Sequence, residues 1–319
     1  MELVRRMLEG DFQSLSRLIS LVEGNDSKLS EIMQEIHPYL GRGSVVGVTG
    51  LPGAGKSTLV DRLTRIARHK GLSVGIIAVD PTSPFTGGAV LGDRVRMQQH
   101  YLDPGVFIRS MATRGSRGGL PRATRDVIKL MDAFGKDIIL VETVGVGQTE
   151  LDVVEAAETI IVVLVPEAGD SIQTMKAGLL EIATIFVVNK ADREGADRMI
   201  LDLESMLTFG SRTRQWKPPI VSTQAVNGIG IDELYQMVEM HREYLQTSGE
   251  LSIRRKKRAR EELLQRVEQT LRTRLHHLLL QDGKLTPLVE KMESGEIDSY
   301  TAADIIAKEI FFCEVNTQS

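Results

Sequence analysis

The sequence predicts an α/β fold: a mostly parallel central sheet with helices on both faces, extended by helices at its N-terminal and C-terminal ends. Three observations carry this expectation. Short runs rich in valine and isoleucine recur between residues 45 and 222, each separated from the next by a segment long enough for a helix. The runs are apolar throughout rather than alternating, the pattern of strands buried on both faces of a parallel sheet. A glycine-rich turn ending in Lys-Ser directly follows the first run, and in such sheets ligands bind beyond the carboxyl ends of the strands.

Taken in order, residues 1–42 read as a helical extension made of a pair of helices. Leu15, Leu18, Ile19 and Val22 fall at helical spacing, as do Leu29, Ile32, Met33 and Ile36. The α/β domain is expected over 43–248, with strands at 45–48, 74–79, 137–141, 159–165, 184–188 and 219–222 and a shorter candidate at 106–108. Residues 249–319 read as a C-terminal helical arm. Within it, 254–260 carries six basic residues in seven and reads as a solvated linker or helix start. Leu264, Val267, Leu271, Leu275 and Leu278 then form a helical stripe on a segment with no sheet to pack on. Such a stripe must bury itself against its own domain or another subunit. A last helix is expected from Ser299, with Ala302, Ile305, Ile306 and Ile310 on one face.

Composition narrows the function classes. Lys plus Arg is 39 against 43 Asp plus Glu, a net charge of −4, so no global charge argues for nucleic acid or a membrane surface as partner. The single cysteine, Cys313, excludes an internal disulfide framework and a cysteine-cluster metal site, and suits a reducing compartment. No apolar run approaches the roughly 18 residues of a membrane span, and the first residues lack a signal-peptide pattern. A cytoplasmic protein is expected. Aromatic residues make up only 4% of the chain, so the core must be aliphatic.

The first strand runs into Gly50, Leu51, Pro52, Gly53, Ala54, Gly55, Lys56, Ser57 and Thr58, which matches the P-loop pattern of Gly, four residues, then Gly-Lys-Ser. Glycines allow successive backbone N–H groups to turn onto phosphate oxygens, and the following helix aims its positive end at them. Lys56 is placed to reach the β- and γ-phosphates and Ser57 to ligate Mg²⁺. With the parallel sheet, this makes the fold a P-loop NTPase. A hard cation also calls for carboxylates, and three follow strands or lie in the adjacent loops: Asp80, Asp93 and Glu142. Each of the aspartates also suits a cap or turn, so these assignments rest on the P-loop beside them.

Glu142-Thr-Val-Gly145 has the spacing of the Asp-x-x-Gly element of GTPases, with Glu in place of Asp. A backbone N–H at Gly145 would meet the γ-phosphate and make the loop sensitive to its loss. Gln148 is a candidate for orienting the attacking water or, equally, an ordinary polar loop residue. Further on, Asn189-Lys190-Ala191-Asp192 follows a strand, as the guanine-specificity element of GTPases does. The Asp192 carboxylate would accept from the ring N–H and exocyclic amine of guanine, a donor pair that adenine lacks. Gln224, Ala225 and Val226 lie after the next strand, where a backbone N–H would approach the guanine oxygen.

Taken together, the P-loop, Ala78-Val-Asp-Pro81, Thr86-Gly-Gly88 with Leu91-Gly-Asp-Arg94, and Glu142-Thr-Val-Gly-Val-Gly-Gln148 resemble the MeaB/ArgK family, the methylmalonyl-CoA-mutase-associated GTPases. The resemblance extends through Trp216-Lys-Pro218, Gly228-x-Gly-Ile231 and Tyr300-Thr-Ala-Ala-Asp304. It implies a GTPase of the signal-recognition and MinD-like class that uses GTP/GDP and Mg²⁺ and dimerises through its C-terminal helices. It further implies a chaperone that gates cofactor loading and protection of an adenosylcobalamin-dependent acyl-CoA mutase. One departure is the Gln224-Ala225 pair, where the family often has Ser-Ala; a backbone contact survives this change. The residues speak against two other readings. A nickel-delivery GTPase would need Cys and His ligands, and this chain offers one Cys and scattered histidines. A small-molecule kinase would have no need of the Asn189 to Asp192 element.

Overall fold

The computed structural model describes residues 1–80, 98–100, 102–112, 119–143, 156–166, 181–210, 215–280 and 285–312. These form two compact units, Met1–Ser248 and Gly249–Ser319. At the centre of the first lies a seven-stranded, all-parallel sheet: β1 (Ser44–Gly50), β2 (Val74–Asp80), β3 (Val106–Ala112), β4 (Ile138–Thr143), β5 (Thr159–Leu164), β6 (Ile185–Asn189) and β7 (Ile220–Thr223). The spatial order is β3-β2-β4-β1-β5-β6-β7. Chain order therefore reverses direction at β1: β2 lies to one side of it and β5 to the other. A crevice at that reversal is where a doubly wound sheet receives ligand.

Every residue of β1, β4, β5 and β6 is buried, which explains the unbroken apolar runs. Alternate side chains enter two cores. Val45, Ile139, Val141, Ile160, Val162 and Phe186 face one side, whereas Val46, Val48, Leu140, Ile161 and Val163 face the other. The second side is covered by α4 (Lys56–His69) and α7 (Ile231–Thr247), through Leu59, Leu63, Leu234 and Val238. The first is covered by α5 (Gly119–Ala133), α6 (Ala196–Gly210) and the N-terminal helices.

Those N-terminal helices are three, not two: α1 (Glu2–Leu8), α2 (Phe12–Glu23) and α3 (Leu29–Ile36). Seven residues hold too few turns to show a period, and a helix that short stands only by packing; Val4 and Met7 are fully buried. Asp11 caps α2, accepting from the N–H groups of Gln13 (3.1 Å) and Ser14 (3.3 Å). Arg109 on β3 pairs with Glu23 at the end of α2 (Nε–Oε1 3.1 Å), and one carboxylate, Asp132, accepts from the backbone N–H groups of Arg42 (3.0 Å) and Gly43 (2.7 Å). The N-terminal segment is thereby joined to the sheet within one compact unit. The third strand, expected as a short piece, runs for seven residues along the whole of β2. Its Arg109 and Ser110 interrupt the apolar run that would have signalled its length.

The amino ends of the strands are closed by buried polar groups. Trp216 Nε1 donates to the Thr184 carbonyl (2.8 Å), its ring lies edge-on to His241 (centroids 4.8 Å apart), and His241 Nδ1 meets Thr159 Oγ1 at 2.8 Å. Lys136, 3% exposed, donates from Nζ to the Gly105 carbonyl at 3.0 Å and lies over the rings of Phe12 and Phe134. Burial, with a lesser push from the Arg68 charge, lowers its pKa to about 8.

The second unit holds α8 (Glu250–Leu280), α9 (Thr286–Glu293) and α10 (Ser299–Phe312). The basic stretch at 254–260 is helix rather than linker. Its charges meet acids one turn away, as in Arg254–Glu250 (3.0 Å) and Lys257–Glu261 (3.8 Å). Ile253, Leu263, Leu264 and Val267 are exposed on α8. The sequence reading missed α9, which buries none of its residues and so has no apolar stripe. Asp298 sets the start of α10 by accepting from the N–H groups of Tyr300 (2.8 Å) and Thr301 (3.0 Å). Among the described residues no helix is long and apolar enough to cross a membrane.

Candidate functional site

The P-loop turns over the carboxyl end of β1, between β4 and β5. Two of its glycines are dictated by close neighbours. A Cβ on Gly50 would lie 2.1 Å from the Val163 carbonyl oxygen, and one on Gly55 would lie 2.3 Å from Asn189 Nδ2. Gly55 also has φ +91, a left-handed conformation in which a side chain would be strained. Pro52 and Gly53 are exposed at the top of the loop, Leu51 is half-buried and Ala54 is fully buried beneath it. Thr58 is half-buried one residue further along α4.

Lys56 and Ser57 open α4 and are both buried. Lys56 Nζ donates to the carbonyls of Gly50 (2.8 Å) and Leu51 (2.9 Å), which hold its ammonium beneath the loop. Ser57 Oγ donates to Glu142 Oε1 at 2.6 Å. Glu142 comes into reach because β4 lies beside β1 with Glu142 opposite Val48, so its carboxylate stands near the end of the P-loop strand. One strand residue further, Thr143 Oγ1 donates to Thr49 Oγ1 (3.0 Å) and locks the two ends together. A buried lysine, a hydroxyl and a carboxylate are thus gathered at a single helix start. Of the remaining phosphate-side candidates, Asp80 closes β2, paired by its backbone with Ala112. Asp93, Gly145 and Gln148 lie outside the described residues.

At the other end, Asn189 closes β6 and is 2% exposed. Its Nδ2 donates to the Ala54 carbonyl (2.7 Å), while its Oδ1 accepts from Thr223 Oγ1 (3.0 Å) and the Ala225 N–H (3.0 Å). One side chain therefore joins the P-loop, β7 and the 224–230 turn. Lys190 takes a left-handed φ of +56, which reverses the chain just after the strand. Asp192 is exposed. The turn itself is closed by Gln224 and Ile229, which bridge as an antiparallel pair. Ala225 is buried, whereas Val226 is 77% exposed, so its side chain contributes nothing to holding the turn.

Two groups near this site escaped the sequence reading. Arg62, on α4, donates from Nε to the Ala225 carbonyl (3.0 Å) and from Nη2 to the Val226 carbonyl. A single arginine on a helix gives no signal of that reach. Behind α4, His100 Nε2 meets Asp61 Oδ1 at 2.9 Å and Arg65 meets Asp61 Oδ2 at 3.0 Å. Burial pushes the Asp61 carboxyl up, but the His100 hydrogen bond and the Arg65 charge outweigh it and hold the pKa below the ordinary value. In the sequence, His100 stood out only as a metal ligand to be discounted.

A profile of the methylmalonyl Co-A mutase-associated GTPase family MeaB matches residues 15–278. A Pyrococcus abyssi protein with a provisional GTPase name is 52% identical over 312 residues, covering 97% of this chain and 96% of that protein. The mitochondrial methylmalonic aciduria type A homolog of Mus musculus is 30% identical, covering 95% of this chain and 77% of its own length. Among solved structures, a LAO/AO transport system kinase superposes with a TM-score of 0.70 at 27% identity, covering 97% of this chain and 96% of its own.

Proposed function

The chain belongs to the MeaB family of P-loop GTPases, and from that premise we propose that it hydrolyses GTP as a chaperone of an adenosylcobalamin-dependent acyl-CoA mutase. The observation that carries the hydrolytic reading is the Ser57–Glu142 contact beside Lys56 at the carboxyl end of β1. The mutase as client is supported by the family profile and by the name of the mouse relative.

The residues suit the proposed chemistry. Ser57 Oγ and Glu142 Oε1 are hard oxygen donors 2.6 Å apart, the class of ligand Mg²⁺ prefers, and Asp80 and Asp93 are the further acids assigned to it. The cation, when bound, offsets charge that develops on the phosphate oxygens. Lys56, held by the Gly50 and Leu51 carbonyls, presents its ammonium to the β- and γ-phosphates. The backbone N–H groups of residues 51–58 cradle the same oxygens, and α4 adds the positive end of its dipole. Gly145 and Gln148 are proposed to sense the γ-phosphate and to position the water that attacks it. On the base side, Asp192 selects guanine by accepting its two N–H donors, and the 224–226 backbone receives the 6-oxo group. The exposed Ile253, Leu263, Leu264 and Val267 support self-association of α8 as a homodimer. The single cysteine supports a cytoplasmic setting, and the net charge of −4 gives no support to nucleic acid or membrane as partner.

Co-purification from the native cells under GTP and under GDP, with the bound protein identified by mass, tests the client. An acyl-CoA mutase retained in a nucleotide-dependent manner is the expected result. Retention of none, together with GTP turnover that a purified mutase leaves unchanged, removes the chaperone reading. Turnover that instead rises with added arginine would mark a kinase.

A further inference from the structure

The turn at 224–230 has to present a backbone donor to the base, and the hydrogen bonds within it single out one. The Gln224 N–H donates to the Ile229 carbonyl (3.0 Å), and the Ala225 N–H is taken by Asn189 Oδ1 (3.0 Å). Those of Asn227 and Gly228 go to the carbonyls of Gln224 (2.9 Å) and Ala225 (3.3 Å). The Ile229 N–H goes to the Gln224 carbonyl (3.3 Å), while that of Gly230, without an acceptor among the described residues, belongs to the residue that caps α7. Between Gln224 and Ile229, the Val226 N–H is the one with no acceptor among the described residues. In a planar trans peptide this N–H and the Ala225 carbonyl point in opposite directions. Arg62 grips that carbonyl through Nε at 3.0 Å and the next one through Nη2.

We propose that Arg62 is a positioning residue for base recognition: by holding the Ala225 and Val226 carbonyls it turns the Val226 N–H toward the 6-oxo group of the purine. The Gly228 N–H also reaches the Ala225 carbonyl, at a longer 3.3 Å, but among the described residues Arg62 is the side chain that holds this peptide plane. The Val226 side chain is exposed, and Asn189 fixes only the peptide before it. Because Arg62 stands on the helix that Lys56 and Ser57 open, the same rigid element carries the phosphate contacts and the support of the base contact. The ligand class is a 6-oxopurine nucleotide. The proposal rests on the reading of this turn as the guanine-oxygen contact.

The experiment compares GDP with 2-aminopurine riboside diphosphate, which has the same sugar, phosphates and 2-amino group but lacks the 6-oxo group and the N1–H that goes with it. The missing N1–H contact to Asp192 is common to parent and variants and cancels when the effects of each substitution are compared. Equilibrium affinities are measured for the full chain and for its Arg62→Ala and Arg62→Lys variants. Loss of one aimed hydrogen bond should weaken GDP binding by about 3- to 10-fold in Arg62→Ala. Binding of the 2-aminopurine nucleotide should stay within error, and Arg62→Lys should recover part of the loss. Equal weakening of both nucleotides would assign Arg62 to the phosphates or to general stability and overturn the proposal, as would no change in either. If Arg62→Ala does not fold, the selective loss must appear in Arg62→Lys, and a Lys variant that binds both nucleotides like the parent is likewise contrary. A parent chain that does not prefer GDP over the analogue removes the base-site reading itself, an outcome distinct from failure of the Arg62 assignment alone.

Discussion

Lys56 and Lys136 lie at opposite edges of the same sheet, and both are buried: 5% and 3% exposed. Each ammonium donates to main-chain carbonyls, Lys56 to Gly50 and Leu51 and Lys136 to Gly105. What differs is the cover. Above Lys56 stands a glycine loop whose Pro52 and Gly53 are open to solvent, whereas Lys136 is roofed by the Phe12 and Phe134 rings. The carboxyl edge sets its charge under a loop that opens to solvent, and the amino edge uses one to close the fold. Burial of a charged side chain alone therefore does not mark a site; what the charge can still meet does.

Lys56→Ala should break the carboxyl edge most severely. Loss of one preorganised cation at the phosphates is expected to lower GTP hydrolysis by roughly 10²- to 10³-fold, with a melting temperature close to that of the parent. Phosphate release at saturating GTP measures it, and a variant within threefold of the parent would empty the comparison of its catalytic half.

Asp192→Asn acts at the other end of the same edge. A charged hydrogen-bond acceptor is worth about 1.5–3 kcal/mol, so the preference of guanine over xanthine nucleotides should fall or invert by about 10- to 100-fold. Competition binding with XDP reads this directly, and an unchanged preference would remove Asp192 from the base site.

Asn189→Ala should injure fold and site together, because its amide joins Ala54, Thr223 and Ala225. Orphaned buried partners cost about 1–3 kcal/mol, visible as an earlier denaturant midpoint, accompanied by weaker GDP binding. A stability loss with full GDP affinity would show that the P-loop holds its shape without this bridge.

The smallest effect belongs to Lys136. Its pKa falls from an ordinary 10.5 to about 8 on folding, so between those values the unfolded chain binds more protons than the folded one. Stability from this group is full above pH 10.5 and is lost as pH falls through about 8. Lys136→Met should flatten that rise while leaving GTP hydrolysis unchanged, as melting curves at pH 7.5 and 9.5 would reveal. A variant with the parent's pH slope would mean that the lysine is more hydrated than its surroundings indicate.

How much of this was legible in the sequence follows from the same contrast. The P-loop and the Asn189 to Asp192 element stand out in the sequence because the chemistry proposed for them demands particular residues at fixed spacing. The all-parallel sheet read clearly because full burial leaves continuous apolar runs. Helix α1 and helix α9 did not, since one is too short to show a period and the other buries nothing. Within the site, the Ser57–Glu142 contact was implied by two motifs 85 residues apart. Arg62 was invisible because its partners are carbonyls, and any residue type supplies a carbonyl. The bridging role of Asn189 was hidden for the same reason: a specificity motif names its amide but not the three segments it joins.

The chain has one tryptophan, Trp216, and it stands at the amino edge, anchored to the Thr184 carbonyl and set edge-on against His241. That position makes it an intrinsic optical probe of one edge of the sheet. Its emission should be indifferent to nucleotide exchange at the carboxyl edge and should shift when β5, β6 and α7 part. A signal from Trp216 during turnover would therefore report motion that has crossed the whole sheet.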